Sequence, residues 1–266
     1  MSDLHAAAFE CLMLSDPEQK RAATLRVAAL HSDGVLEPAP SAAPMPVPTP
    51  GRPERPRLVP PRELAQRGLG TPAGRAALVH AVAHIEFNAI NLAWDAVYRY
   101  RDMPAAFYAD WIGVAVDEAR HFGLLAARLA ELGHAYGDFE AHDGLWEMAR
   151  LTAGSCLERM ALVPRVLEAR GLDVTPGMIE RLRSVGDQAT VAILETILRE
   201  EVAHVAAGSR WFAWCCARAG CAPGETFRAL IARHLPGGLR GPFNTDARLQ
   251  AGFSAQELAE LGARAA

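Results

Sequence analysis

Apolar residues recur every three to four positions along most of the chain, and this spacing predicts an all-α protein. Residues 3–31 are predicted to be helical, with a break at Asp16-Pro17. Helical spacing dominates again after residue 72, where four long helices are predicted over residues 73–101, 105–132, 143–170 and 187–219. No run of residues has the alternation of a strand.

Four long helices joined by short connections are typical of an antiparallel four-helix bundle. The third and fourth helices are joined by a longer link. Thr175-Pro176 is predicted to open a short extra helix there, because Thr is a good N-cap and Pro fits the first turn. Residues 223–266 are predicted to form two or three short helices around an irregular Gly/Pro-rich segment.

Residues 37–61 are dense in proline and read EPAPSAAPMPVPTPGRPERPRLVPP. Such a segment cannot form a helix or a central strand, so we expect an extended arm that wraps the domain or links two parts. The chain is therefore expected to have four parts. These are an N-terminal helical segment (1–36), a Pro/Arg-rich extended arm (37–72), a four-helix bundle (73–220) and a C-terminal helical extension (221–266).

The formal net charge of −4 excludes a globally basic nucleic-acid coat. The arm is a local exception, because six arginines face two glutamates between Gly51 and Arg75. It can contact the phosphate of RNA or of a phosphorylated substrate, although a solvated strap is the simpler interpretation. No run of 18 apolar residues lacks charge, so no membrane span is expected. The N-terminus lacks a basic leader, and the odd number of cysteines favours reduced thiols and a cytoplasmic location.

A Glu-x-x-His pattern occurs in two of the predicted long helices. Glu118 and His121 lie in the second helix, and Glu201 and His204 lie in the fourth. Residues three apart share a helix face, and the neighbours on both faces are apolar. A carboxylate on a buried face is costly unless it is paired or bound to a metal. Two such pairs therefore predict a carboxylate-bridged dinuclear metal site, which needs one more Glu from each remaining helix.

The first helix supplies Glu86, the only acid between Glu63 and Asp95. The third helix offers two candidates, Glu158 and Glu168. The apolar neighbours of Glu158 favour that residue. Spacing favours Glu168 instead, because it precedes Glu201 by 33 positions, much as Glu86 precedes Glu118 by 32. The residues alone leave this choice open.

Two other interpretations compete with a catalytic metal site. The acids can pair with arginines in a polar seam of a purely structural bundle; the arginines in question are Arg120, Arg165, Arg199 and Arg210. Alternatively, the chain is a non-enzymatic iron-binding or storage protein, although the long arm and the C-terminal extension disfavour a 24-subunit cage.

Several further side chains are secondary candidates. His80 and His84 have the i, i+4 spacing of a metal pair, but a supporting or interface role is favoured. Three cysteines near residue 216 lack the partner spacing of a zinc site and are expected to be core thiols. Three acids are either partners of the metal-binding histidines or ordinary caps and surface groups, namely Asp95, Asp117 and Asp187.

The phrases HIEFNAI, DEARHF, PRVLEARGLD and EVAHV occur in this order. Together they resemble an uncharacterised ferritin-like family of bacterial proteins, a domain of unknown function, over roughly residues 52–253. The resemblance implies a ferritin-like four-helix bundle, and the phrase EARGLD implies that Glu168 is the third-helix ligand. The implied metal ligands are Glu86, Glu118, His121, Glu168, Glu201 and His204.

DEARH is also similar to the ligand motif of oxygen-activating di-iron hydroxylases, and a neighbouring family hydroxylates an isopentenylated adenosine in tRNA. Four carboxylates and two imidazoles suit two Fe ions, with Mn as the alternative. We therefore expect an oxidoreductase that activates O₂ or peroxide, with an unknown small-molecule or RNA substrate and an electron-donor protein. The protein is expected to be a monomer or homodimer.

Overall fold

The computed structural model describes residues 2–39 and 43–265. Most of them lie in helices, so the expected all-α class is confirmed. The chain packs into two compact units, one that extends to Arg150 and one that begins at Leu151.

The first unit contains the N-terminal helices and the first two long helices. Two strands of only two residues pair in parallel near the N-terminus, which leaves the protein almost without strand. Its elements are β1 (Ser2–Asp3), α1 (Leu4–Met13), α2 (Pro17–Ser32), β2 (Leu36–Glu37), a 3₁₀ turn (Pro61–Glu63), α3 (Pro72–Arg99) and α4 (Ala105–Glu131), followed by α5 (Gly144–Leu151).

Helix α3 forms the centre of the first unit. The Thr71 side chain caps its first turn by accepting a hydrogen bond from the Gly74 N–H, and Pro72 occupies the first helical position. The helix is long and apolar enough to cross a membrane, but 78% of its apolar window is buried inside the fold, as in a core helix. Its main partner is α4, and each fully buried Ile or Phe between them contributes roughly 1.5–3 kcal/mol.

The only lysine of the chain, Lys20, is fully buried and anchors α3. Its ammonium donates to the backbone carbonyls of Cys11 and Leu12 and to the side-chain oxygen of Asn91 on α3. Three acceptors match the three donors of an ammonium group, while burial lowers the pKa of Lys20 to about 7. This contact ties α1 and α2 to the helix that carries Glu86.

The arm lies along the rest of the first unit and hydrogen-bonds to it, as expected of a strap. The Met45 N–H donates to the Tyr98 hydroxyl (2.8 Å), and the indole of Trp146 donates to the Pro48 carbonyl (3.2 Å). Arg57 forms an ion pair with Glu140. Residues 40–42 of the arm lie outside the described residues. The contacts favour a strap, and one arginine of the arm is paired with an acid of the same unit at the surface.

The second unit contains the other two long helices and the C-terminal helices. The helix predicted over residues 143–170 is corrected here, because residues 152–155 interrupt it and it continues beyond Gly171. Ser155 starts the new helix by accepting a hydrogen bond from the Glu158 N–H. The elements are α6 (Cys156–Leu162), a π turn (Val163–Glu168), α7 (Ala169–Ser184), α8 (Gln188–Ala219), α9 (Pro223–His234), α10 (Thr245–Gln250) and α11 (Ala255–Ala265).

The prediction that Thr175-Pro176 opens a short helix is wrong. Pro176 lies inside α7, where its missing N–H leaves the carbonyl of Leu172 without its helical donor. The side-chain amide of Asn244 donates to that carbonyl instead (3.1 Å). The helix therefore continues through the proline because a distant side chain replaces the lost hydrogen bond.

Helix α8 agrees with the prediction over residues 187–219. Asp187 caps it by accepting from the Thr190 N–H (3.1 Å), and Gly220 ends it with a φ of 66°. Gly adopts this left-handed conformation without steric cost, because it has no Cβ atom.

Candidate metal centre

Helices α3 and α4 bring three of the predicted ligands together inside the first unit. Glu86 is 4% exposed, and Glu118 and His121 are completely buried. Nδ1 of His121 lies 3.2 Å from Oε2 of Glu86 and 3.6 Å from Oε2 of Glu118. Ligand atoms of the three side chains lie within 4.8 Å of one another, a spacing that a single metal ion can bridge. We call these residues the α3–α4 cluster.

The α3–α4 cluster concentrates acidic side chains in the interior. Burial lowers the pKa of His121, but the hydrogen bonds and charges of Glu118 and Glu86 outweigh this effect and raise its pKa to about 11. His121 therefore carries a proton that offsets negative charge when no metal is bound. A metal ion at this cluster would need the neutral imidazole, so its binding would replace this proton with a larger positive charge.

Three aromatic rings, one on α3, one on α4 and one in the segment after α4, pack against one another. Phe87 and Phe122, each adjacent in sequence to a cluster residue, lie 5.6 Å apart between ring centroids. Both rings contact Tyr136. These contacts form a buried aromatic group that packs α3 and α4 together near the helix turns that carry the cluster.

His80 and His84 hold the segment after α4 against α3. His84 accepts from the Tyr136 hydroxyl through Nδ1 (2.9 Å) and donates to the His142 carbonyl through Nε2 (3.0 Å). Nε2 of His80 accepts from the Gly137 N–H (2.9 Å). Burial lowers the pKa of both histidines to about 4, so they are neutral. Both ring nitrogens of His84 are engaged, which favours the supporting role over a metal pair.

The second unit carries the other Glu-x-x-His pair on α8. His204 is 2% exposed, and its Nδ1 lies 3.5 Å from Oε1 of Glu201. The i, i+3 spacing therefore places the carboxylate and the imidazole side by side, as it does for Glu118 and His121 on α4.

The two third-helix candidates lie in different environments within the second unit. Glu158 forms ion pairs with Arg233 (3.2 Å) and His234 (3.5 Å). Glu168 ends the π turn, and its Oε2 atom is buried. The ion pairs give Glu158 a structural role, so the geometry favours Glu168. The assignment of Glu168 as a ligand stays a prediction.

The secondary acids have ordinary structural contacts. Asp117 pairs with Arg120 on the exposed side of α4 (3.0 Å), and Asp95 forms a buried pair with Arg99. Asp187 caps α8, as described above. The alternative interpretation paired the predicted ligands with arginines, among them Arg165. Arg165 pairs with Glu257 (2.8 Å), which is not one of the predicted ligands.

Sequence reasoning missed two features of the second unit. One is the π turn, for which Pro164 inside an apolar helix was the available signal. The other is a buried ion pair between Asp173 and Arg248, for which a single sequence has no local signal because 75 positions separate the two residues.

The helices and the α3–α4 cluster define an all-α protein with a candidate carboxylate–histidine metal site. A family model described as "Protein of unknown function (DUF455)" matches residues 13–259, and the chain belongs to this family. An uncharacterised protein of Haemophilus influenzae is 48% identical over 213 residues, which cover 77% of this chain and 74% of that protein. No solved structure matches the chain significantly. The expected membership in a family of unknown function is thereby confirmed.

Proposed function

We propose that this protein is a dinuclear metal–carboxylate protein with a ferritin-like four-helix bundle. In this proposal the α3–α4 cluster and the group Glu168, Glu201 and His204 supply the ligands of two Fe ions, with Mn as the alternative. The observation that supports it most is the burial of Glu86 and Glu118 against His121. Ligand atoms of these two carboxylates and the imidazole lie within 4.8 Å of one another, and carboxylates with imidazole are a donor set for Fe or Mn.

The donor set fits this assignment. Carboxylates and imidazoles are ligands of Fe and Mn, and the carboxylates offset most of the charge of two divalent ions. Two bound iron ions would supply the redox chemistry needed to activate O₂ or peroxide. The chain itself binds the metal through Glu86 and Glu118 and releases the proton of His121. Apolar neighbours such as Ile90 and Leu125, both fully buried, exclude water.

We extend the proposal to an oxidoreductase that hydroxylates or dehydrogenates a small molecule or an RNA base. The analogy with tRNA hydroxylases concerns fold and ligand motif, which carry little information about substrate. The protein is proposed to act in the cytoplasm as a monomer or homodimer, with a separate electron-donor protein.

Metal analysis of protein purified without chelator tests the proposed function. We expect about two Fe per chain, together with a near-ultraviolet absorption band that develops after exposure to air. Gel filtration of the same sample distinguishes an enzyme from a storage shell, because storage requires a large hollow assembly. Failure to take up metal after anaerobic loading with Fe(II) and Mn(II) would contradict the proposal.

A pair of variants distinguishes the two third-helix candidates. Glu168→Gln is expected to lower metal content, because the amide removes a negative ligand without changing the size of the side chain. Glu158→Gln is expected to keep wild-type metal content, since its ion pairs with Arg233 and His234 are partly exposed and contribute little. Metal content of both proteins is measured after identical loading. The reverse result would assign the ligand role to Glu158.

A further inference from the structure

A π turn interrupts the long helix of the second unit between Val163 and Glu168. The Ala169 N–H donates to the carbonyl of Pro164, five positions earlier, so this turn holds one more residue than an α-helical turn. Pro164 explains why the irregularity occurs here. Its ring lacks an N–H and clashes with the carbonyl four positions earlier in a regular α-helix, and a wider turn relieves that clash.

Pro164 packs against a glycine of α8. A Cβ atom at Gly208 would overlap the Cβ and Cγ atoms of the Pro164 ring. Only a residue without a side chain therefore permits the observed approach of the π turn to α8. Gly208 is buried, so the contact is fully inside the second unit.

The contact between Pro164 and Gly208 also sets which side chains of the two helices lie at the same height along the helix axes. Helices α7 and α8 are joined by a short turn at Val185–Asp187 and are therefore antiparallel neighbours. Glu168 lies four residues after Pro164, and His204 lies four residues before Gly208. Both steps run in the same direction along the helix pair, and each spans about one helical turn. The Pro164–Gly208 contact therefore places Glu168 level with His204.

We propose that Pro164 and Gly208 are positioning residues of the metal site, because their contact holds the π turn that presents Glu168 beside His204. This inference rests on the proposed metal-binding function. A one-residue bulge changes the direction of the side chains that follow it by about 100°. If the turn became α-helical, the Glu168 carboxylate would point in a different direction and the ligand set would be incomplete.

The test measures metal affinity and thermal stability of full-length, chelator-stripped variants. Pro164→Ala restores a backbone N–H and removes the steric reason for the π turn. We expect this variant to bind Fe(II) or Mn(II) about 10- to 100-fold more weakly, the range for residues that orient ligands, while its melting temperature stays equal to or above that of the wild type. A merely structural role predicts the opposite combination, a lower melting temperature with unchanged affinity.

Two further variants and a control complete the design. Gly208→Ala should weaken metal binding through the overlap with the Pro164 ring, and the double variant Pro164→Ala/Gly208→Ala should show a non-additive effect because the two residues are in contact. Gly177→Ala is the control, since a Cβ at Gly177 on α7 meets no atom within 4 Å. Its metal affinity should equal that of the wild type.

The possible results separate the two proposals. Wild-type protein that takes up no metal overturns the proposed function, and this inference with it. Wild-type protein that binds metal, with Pro164→Ala and Gly208→Ala variants of equal affinity, overturns only the positioning role. If Gly208→Ala does not fold, the Pro164→Ala result decides.

Discussion

The Glu118→Ala variant is expected to retain less than about a tenth of the wild-type metal, and the same loss is expected for His204→Ala. Removing a group that merely orients a ligand weakens metal binding about 10- to 100-fold, and loss of the ligand itself should cost at least as much. Glu118 is completely buried and lies 3.6 Å from the imidazole of His121, so alanine leaves no carboxylate there. Metal content after Fe(II) loading and desalting measures the effect.

Asp117→Ala is the matched control for Glu118→Ala. Asp117 is the preceding residue on α4, but it pairs with Arg120 at the surface, where an ion pair contributes at most about 1 kcal/mol. This variant should fold and take up metal like the wild type. Undiminished metal in the Glu118→Ala protein would remove Glu118 from the ligand set, and undiminished metal in the His204→Ala protein would do the same for His204.

The parts of the fold that local sequence determines were predictable. Helices α3, α4 and α8 begin and end within about two residues of the predicted bounds, because Pro, Gly and good N-caps flank strongly periodic segments. The break before α6 was also readable, since Ser155 and Glu158 form the S-x-x-E pattern of a helix start. That signal is short, and the apolar spacing on both sides concealed it.

The continuation of α7 through Pro176 was not predictable from a single sequence. Proline normally ends or kinks a helix, and here the side chain of Asn244, far along the chain, replaces the missing hydrogen bond. Such tertiary compensation has no local pattern. The same limit applies to the contact of Pro164 with Gly208, since each residue alone predicts only a weak point in a helix.

For the candidate site, the sequence predicted which side chains are buried on each helix, but not how the helices bring them together. Burial of Glu86, Glu118, His121 and His204 follows from apolar neighbours on their own helix faces. The approach of Glu86 to His121 depends on how α3 packs against α4, and the sequence predicted it only through analogy with dinuclear sites. The residues alone left Glu158 and Glu168 open. The ion pairs of Glu158 with two residues of α9 favour Glu168, whose role as a ligand stays a prediction.

Replacing Asp173 with alanine is expected to lower the free energy of unfolding by about 3–5 kcal/mol. The Asp173 carboxylate accepts two hydrogen bonds from the guanidinium of Arg248, at 2.9 and 2.7 Å, and both side chains are almost completely buried. It also accepts from the backbone N–H of Asn244 (2.9 Å), the residue that supports the helix at Leu172. The variant therefore leaves the buried charge of Arg248 uncompensated. It also weakens the placement of Asn244, whose side chain replaces the hydrogen bond that Pro176 cannot form.

Urea unfolding followed by circular dichroism measures this loss, and two comparisons give its cause. The exposed pair of Glu180 and Arg183 on α7 is the control, and Glu180→Ala should cost less than about 1 kcal/mol. The double variant Asp173→Leu/Arg248→Met should be more stable than Asp173→Ala, because it removes both buried charges and keeps apolar volume beside the Phe253 ring. Equal stability of these two variants would mean that packing, rather than the uncompensated charge of Arg248, determines the loss.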